Sequence, residues 1–251
     1  GAAAGSSPWR LALADVARSG PGPWGELLPP NDDGIRLPKG FRSRVIARAG
    51  LPVGNSKYVW PVYPDGGATF RTADGWVYVA NSEWVAPNGG GVGAIRFDRV
   101  GNVVDGYSIC SGTMLNCAGG ATPWDTWLTC EEYAYGHVWE CDPLGRKPAA
   151  KRPALGTFQH EAAAVDPVRK VVYLTEDVPD GRFYRFTPKK WPSLEAGALE
   201  ALQVRDDATV AWHPVRWPNP GILHEATRHQ VPQSTAFRGG EGVALTCGPS
   251  R

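Results

Sequence analysis

The sequence predicts an all-β chain folded as a β-propeller, and three observations carry that prediction. Gly 31 and Pro 23 make up about a fifth of the 251 residues, against about an eighth in ordinary chains. A short hairpin recurs along the chain. Its first strand ends, each time, in an acid.

Hydrophobic residues are 42% of the chain, with 11 Trp, 8 Tyr and 7 Phe, so there is apolar mass for a core. The Gly and Pro therefore punctuate many short elements rather than signal disorder. Few stretches run a dozen residues without either, which leaves no room for long helices. No run of eighteen apolar residues is present, so no membrane span is expected. The formal net charge is +1, from 26 basic and 25 acidic residues. Basic patches interleaved with aromatics are lacking, so nucleic acid is not expected as a partner.

Residues 1–35 read as an N-terminal arm. Two helical turns are expected over Trp9–Val16, broken by Gly20-Pro21-Gly22-Pro23. The opening Gly-Ala-Ala-Ala fits either a mature end left by signal cleavage or a chosen boundary. From residue 36 to 251 the chain reads as the propeller domain. Phe41–Ala49 alternates apolar and polar, as a half-buried strand does. Then come Trp76–Glu83 (WVYVANSE), Trp127–Glu132 (WLTCEE), Val171–Asp177 (VVYLTED) and Gly242–Cys247 (GVALTC). The first three are each followed, after a turn, by a second strand opening on Gly: GAIRFD, GHVWECD and GRFYRFTP. The repeats are about 50 and about 44 residues apart, the size of a four-stranded propeller blade. A β-sandwich with coincidental hairpins is the alternative. The fourth repeat stops at Arg251 before its partner strand, so the domain is expected to be incomplete at its C-terminus. The length suits about four to five blades.

Equivalent positions of successive blades ring a propeller's channel. Glu83, Glu131, Glu132, Glu176 and Asp177 all close such strands. Converging carboxylates repel unless a cation lies between them, and a hard cation such as calcium takes six to eight oxygen ligands. Solvated strand ends are the alternative. Asn116–Glu132 (NCAGGATPWDTWLTCEE) is dense in unusual residues. Its Cys117 is either a soft metal ligand or a buried core thiol. Five Cys are present. A hairpin turning near Tyr135-Gly136 would set Cys130 opposite Cys141, within reach of a cross-strand disulfide. His160-Glu161 sits on a strand, so the two side chains point to opposite faces, and Glu161 is taken as the one facing the site. His224-Glu225 reads as surface loop. Arg238-Gly239-Gly240-Glu241 is a tight turn carrying a guanidinium and a carboxylate, and Arg binds phosphate oxygens bidentately. No nucleophile elbow, Walker loop or His-Glu-x-x-His motif is present.

Asn116–Glu132, Gly156–Pro167 (GTFQHEAAAVDP), Val171–Phe186 (VVYLTEDVPDGRFYRF) and Phe237–Gly242 (FRGGEG) closely resemble motifs of the PhoX alkaline phosphatase family. The resemblance runs from about Leu37 to the C-terminus. It implies a six-bladed propeller, export to the periplasm or beyond by the twin-arginine route, and hydrolysis of small-molecule phosphate esters. It also implies a cluster of iron (Fe3+) and calcium (Ca2+). Carried over by motif, Cys117, Glu161 and Glu241 resemble the iron ligands, and Glu131, Glu132, Glu176 and Asp177 the calcium-side acids. Asn81 and Arg238 resemble the phosphate-contacting pair. Ser82 replaces a His of the family's Asn-His-Glu, Asp125 stands where Gly is usual, and one extra residue separates Arg238 from Glu241. Two other readings differ in chemistry: a calcium-binding propeller without turnover, and a calcium-dependent lactonase-like hydrolase, which would not need Cys117.

Overall fold

The computed structural model describes residues 22–87 and 89–245. The expected helical turns at Trp9–Val16, and Cys247, lie outside the described residues. The chain forms two compact units. One is Gly1–Ile46 with Arg205–Thr209, the other Ala47–Val204 with Val210–Arg251.

In the first unit, Asn31 organises a turn: its Oδ1 accepts from Asp33 N and Ile35 N, and its Nδ2 donates to Ser43 Oγ. Trp24 and Phe41 meet edge to face at 5.5 Å. The strand expected over Phe41–Ala49 does not form. Alternation makes a strand only where a sheet face buries its apolar half, and Phe41 and Val45 both remain exposed.

The second unit holds three antiparallel sheets, each a meander in chain order. The first contains β1 (Pro64–Thr72), β2 (Gly75–Ser82), β3 (Gly90–Asp98) and β4 (Val103–Thr113). The second contains β5 (Asn116–Ala121), β6 (Trp127–Glu131), β7 (Val138–Cys141) and β8 (Ala150–Lys151). The third contains β9 (His160–Asp166), β10 (Val171–Glu176), β11 (Phe183–Lys190), β12 (Ser193–Val204) and β13 (Val210–Pro214). The recurring hairpin is thus the second and third strand of each sheet. The first strands lie side by side, β1 next to β5 and β5 next to β9. Sheets set radially with their first strands inward are propeller blades. Among the described residues, the expected four to five blades' worth of chain forms three sheets, with long strand-free stretches at 47–63 and 215–245. Among the described residues no helix is long and apolar enough to cross a membrane.

Two cores lie between successive sheets. Val77, Val79, Val92, Ile109, Cys110, Trp127 and Cys141 fill the first. Leu128, Cys130, Val138, Val172, Leu174, Tyr184 and Phe186 belong to the second. Small residues let the inner strands approach. A Cβ on Gly120 would fall inside the radius of the Ala163 carbonyl oxygen, and one on Gly66 would sit 2.7 Å from Ala118 Cα.

Two expectations fail here. Cys130 pairs with Val138, and Cys141 with Trp127, so the supposed disulfide partners are out of register. They also face different cores, as alternate positions on neighbouring strands must, and both thiols are free. Nor do the described residues of the fourth repeat, 242–245, form a strand. Val243–Leu245 line a groove together with Gly119–Ala121 and Ala163–Val165 of the first strands β5 and β9.

Candidate metal centre

Each inner strand carries a β-bulge at its entrance. In β1, Pro64 pairs with Ser82 and Gly67 with Ala80, so Asp65 and Gly66 together oppose Asn81. In β5, Asn116 pairs with Glu131 and Gly119 with Thr129, so Cys117 and Ala118 oppose Cys130. In β9, His160 pairs with Glu176 and Ala163 with Leu174, so Glu161 and Ala162 oppose Thr175. A bulge frees one residue from the ladder and re-aims its side chain. The residues so placed are Asp65, Cys117 and Glu161. A second set follows the end of each second strand: Glu83, Glu132 and Asp177.

The two sets converge. Cys117 Sγ, a Glu132 oxygen and a Glu161 oxygen all lie within 4.8 Å of one another, as do ligand atoms of Asp65, Glu83 and Cys117. The Cys117 thiol donates to Glu161 Oε1 at 3.4 Å. Gln159 Nε2 donates to Glu132 Oε1 at 3.0 Å. Glu132 and Asp177 interact directly, and Glu241 lies close enough to Glu161 to act on its charge.

The electrostatics follow from crowding. Burial first, then the neighbouring Glu132, Glu241 and Asp65 charges, raise Glu161 to about 7, although its bond to Cys117 pulls the other way. Burial and the adjacent Glu161 push the Cys117 thiol well above its ordinary value. Glu83 is raised by burial and by Glu132. Without a cation the centre is therefore kept partly protonated. A thiol among carboxylates, packed this closely, fits a borderline metal at the sulfur with hard cations at the oxygens.

The Glu161 shift has a measurable consequence. Its folded pKa lies above its unfolded one, so folding takes up a proton. The stability this brings is complete below about 4.5 and is lost as pH rises through about 7. In the metal-free chain, the melting temperature of the wild type relative to Glu161→Gln is expected to fall across that window and level off above it. Adding a divalent cation should abolish the fall. A flat difference curve without metal would contradict the crowding.

The expected ligands divide into two groups. Glu132, Glu161 and Cys117 join one cluster, with Asp177 and Glu241 beside it. Glu131 and Glu176 do not, because along a strand the residue before an outward acid points the opposite way. Glu131 accepts from Met114 N (3.2 Å), His137 N (3.2 Å) and Trp139 Nε1 (2.9 Å). Glu176 accepts from Arg182 N (3.0 Å) and the Tyr184 hydroxyl (2.8 Å), with Arg228 at 3.5 Å. Each staples its own hairpin, binding the backbone six residues on and an aromatic donor eight residues on. Gly136 and Gly181 fit this staple because a Cβ on either would collide with the carbonyl of Glu131 or Glu176.

Asn81 braces the Cys117 bulge. Its Nδ2 donates to the carbonyls of Cys117 (2.6 Å) and Ala118 (2.7 Å), and its Oδ1 accepts from Trp127 Nε1 (2.9 Å). The amide is wholly buried and holds the Cys117 bulge. Arg238 is exposed on its turn, which rests on β10 through Gly240 N donating to Glu176 O at 3.2 Å. Asp125 has φ 61°, the left-handed conformation that glycine adopts without strain. His160 is turned away from the centre, stacked on Phe158 at 3.6 Å with its Nε2 3.1 Å from Gly156 O. His224 and Glu225 are exposed, as expected.

Asp65 is the residue the sequence reading missed. The signal was present: Asp65-Gly66-Gly67, Cys117-Ala118-Gly119 and Glu161-Ala162-Ala163 share one pattern, a ligand followed by two small residues.

Fold and site together define a β-propeller with a thiol–carboxylate centre at the ends of its inner strands. The family model for alkaline phosphatase PhoX matches residues 94–134 and 133–246, and the chain belongs to that family. A solved structure of similar fold is Pseudomonas fluorescens PhoX in complex with vanadate, a transition state analogue. The TM-score is 0.69 at 18% identity, over 83% of this chain and 63% of that one. The chain thus spans less than two thirds of that protein's length. Among curated proteins none matches it.

Proposed function

We propose that the chain forms the metal site of a phosphoric ester hydrolase of the PhoX type, acting on small-molecule phosphate esters in the periplasm or outside the cell. The observation that carries the reading is the convergence of Cys117, Glu132 and Glu161 from separate strands, ringed by further acids. Family membership adds the reaction class.

In this reading Cys117, Glu132, Glu161 and Glu241 hold iron, while Asp65, Glu83 and Asp177 serve calcium. Such cations supply Lewis acidity toward a phosphoryl oxygen and offset the crowded negative charge. The chain's own groups do the rest. Asn81 and Trp127 fix the bulge that aims Cys117. Gln159 orients Glu132. Glu161 gives up the proton it carries near neutrality when a cation enters. Arg238, on its exposed turn, is the group for the phosphate oxygens.

A second reading is a cation-binding propeller without turnover, which the converging ligands by themselves would also serve. The test is elemental mass spectrometry of the purified chain with p-nitrophenyl phosphate turnover, with and without calcium. Iron and calcium with turnover support the hydrolase. Calcium without iron or turnover supports the second reading. No bound metal refutes both.

A further inference from the structure

Two thiols lie outside the centre and take no part in its chemistry. Cys110 is on β4, the outer strand of the first blade. Cys141 ends β7, the third strand of the second blade. Both face the core between those blades, where they pack with Val92, Ile109 and Trp127. The two thiols are close enough to act directly on each other. Both are free thiols.

Their surroundings differ in a useful way. Cys141 is fully buried, while Cys110 keeps a small exposure and lines a groove of about 500 Å³ with Ser111, Trp139, Arg146 and Lys147. Two cationic side chains at this groove draw in an anionic visitor. The neighbouring Cys141, with help from Thr113, holds the Cys110 thiol below its ordinary value against the opposing effects of burial and Glu131. Cys130, by contrast, is sealed in the other core, and Cys117 sits in the metal centre.

We propose that Cys110 and Cys141 form an oxidisable dithiol that closes into a disulfide joining the first blade to the second, with a small anionic organic disulfide as oxidant. The Cys110 thiolate attacks one sulfur of the oxidant, which leaves as a thiolate while a mixed disulfide forms on Cys110. Cys141 then loses its proton to the leaving group and attacks the Cys110 sulfur, expelling the second thiolate. Two thiols give one disulfide, and the oxidant takes up the two electrons and, at neutral pH, the two protons. The bridge closes a loop that runs from the end of β4 through β5 and β6 to the end of β7, so it restrains the unfolded chain as well as the folded one.

The experiment uses the full chain and glutathione disulfide as probe. Reduced protein is incubated with it, then denatured, alkylated and digested with chymotrypsin, because no Lys or Arg separates the two cysteines. The expected product is a cross-linked Cys110–Cys141 peptide pair with Cys117 and Cys130 alkylated. The melting temperature should rise by roughly 5 °C or more on oxidation and return with dithiothreitol. In Cys110→Ser both effects should vanish. In Cys141→Ser a glutathione adduct should accumulate on Cys110. Full alkylation of both cysteines in the oxidised wild type would overturn the proposal. So would a persistent wild-type adduct on Cys110, or a bridge from either cysteine to Cys247.

Discussion

Under the proposed function, replacing Cys117 with alanine is expected to strip iron from the chain and reduce phosphate ester turnover by roughly 100-fold or more. The magnitude follows from the several kcal/mol that a Lewis-acidic metal supplies to such a transition state, each about 1.4 kcal/mol being tenfold in rate. The fold should be indifferent. Cys117 is a small side chain in a bulge, and the Asn81 bonds that hold that bulge go to backbone carbonyls, which alanine keeps. Removing the thiol also takes a donor from Glu161, which should rise further without metal. Iron content, visible absorbance, turnover and far-ultraviolet circular dichroism measured together decide the matter. An unchanged iron content would sink the assignment of Cys117 to the metal.

The second large effect separates the two acids of one pair. Glu176→Ala is expected to lower stability by about 3 kcal/mol, or roughly 10 °C in melting temperature. The Tyr184 hydroxyl and the Arg182 N–H would lose their acceptor in a buried site, each at about 1–2 kcal/mol. Arg228 adds less, because it is partly exposed and keeps Asp180 at 3.1 Å. Metal content per folded chain should not change. Asp177→Ala should do the reverse, leaving stability without metal nearly intact and lowering calcium content. Melting curves beside calcium analysis of both variants supply the check. Calcium lost from Glu176→Ala but kept in Asp177→Ala would reverse the roles.

Much of the fold was legible because the hairpins use strong local signals. A buried alternating strand, an acid, a turn and an obligatory glycine recur within one short window, and each is local chemistry. The inner strands were harder. Asp65-Gly66-Gly67 reads as a turn, whereas Gly66 serves close approach to a neighbouring blade that is remote in sequence. Glu131 and Glu132 looked equivalent because both end a strand. Only the direction of each side chain separates a hairpin staple from a channel acid, and period-two alternation could have supplied it. The disulfide expectation failed on register. Placing the turn at Tyr135-Gly136 shifted the pairing, and the hydrogen bond from Gly136 N to Tyr133 O moves the true turn toward the N-terminus. Phe41–Ala49 failed for the opposite reason, a sound local pattern without a sheet to join.

The three bulges have a consequence for how such a centre changes over evolutionary time. A residue in a bulge stands outside the hydrogen-bonded ladder, so its identity is decoupled from the pairing that holds the blade. Asp, Cys and Glu already occupy the three sockets at 65, 117 and 161 on otherwise parallel scaffolds. Exchanging one for another alters the hardness and charge of the donor set while leaving every strand where it was. A propeller built this way can drift in metal preference by single substitutions, with foldability and chemistry selected almost independently.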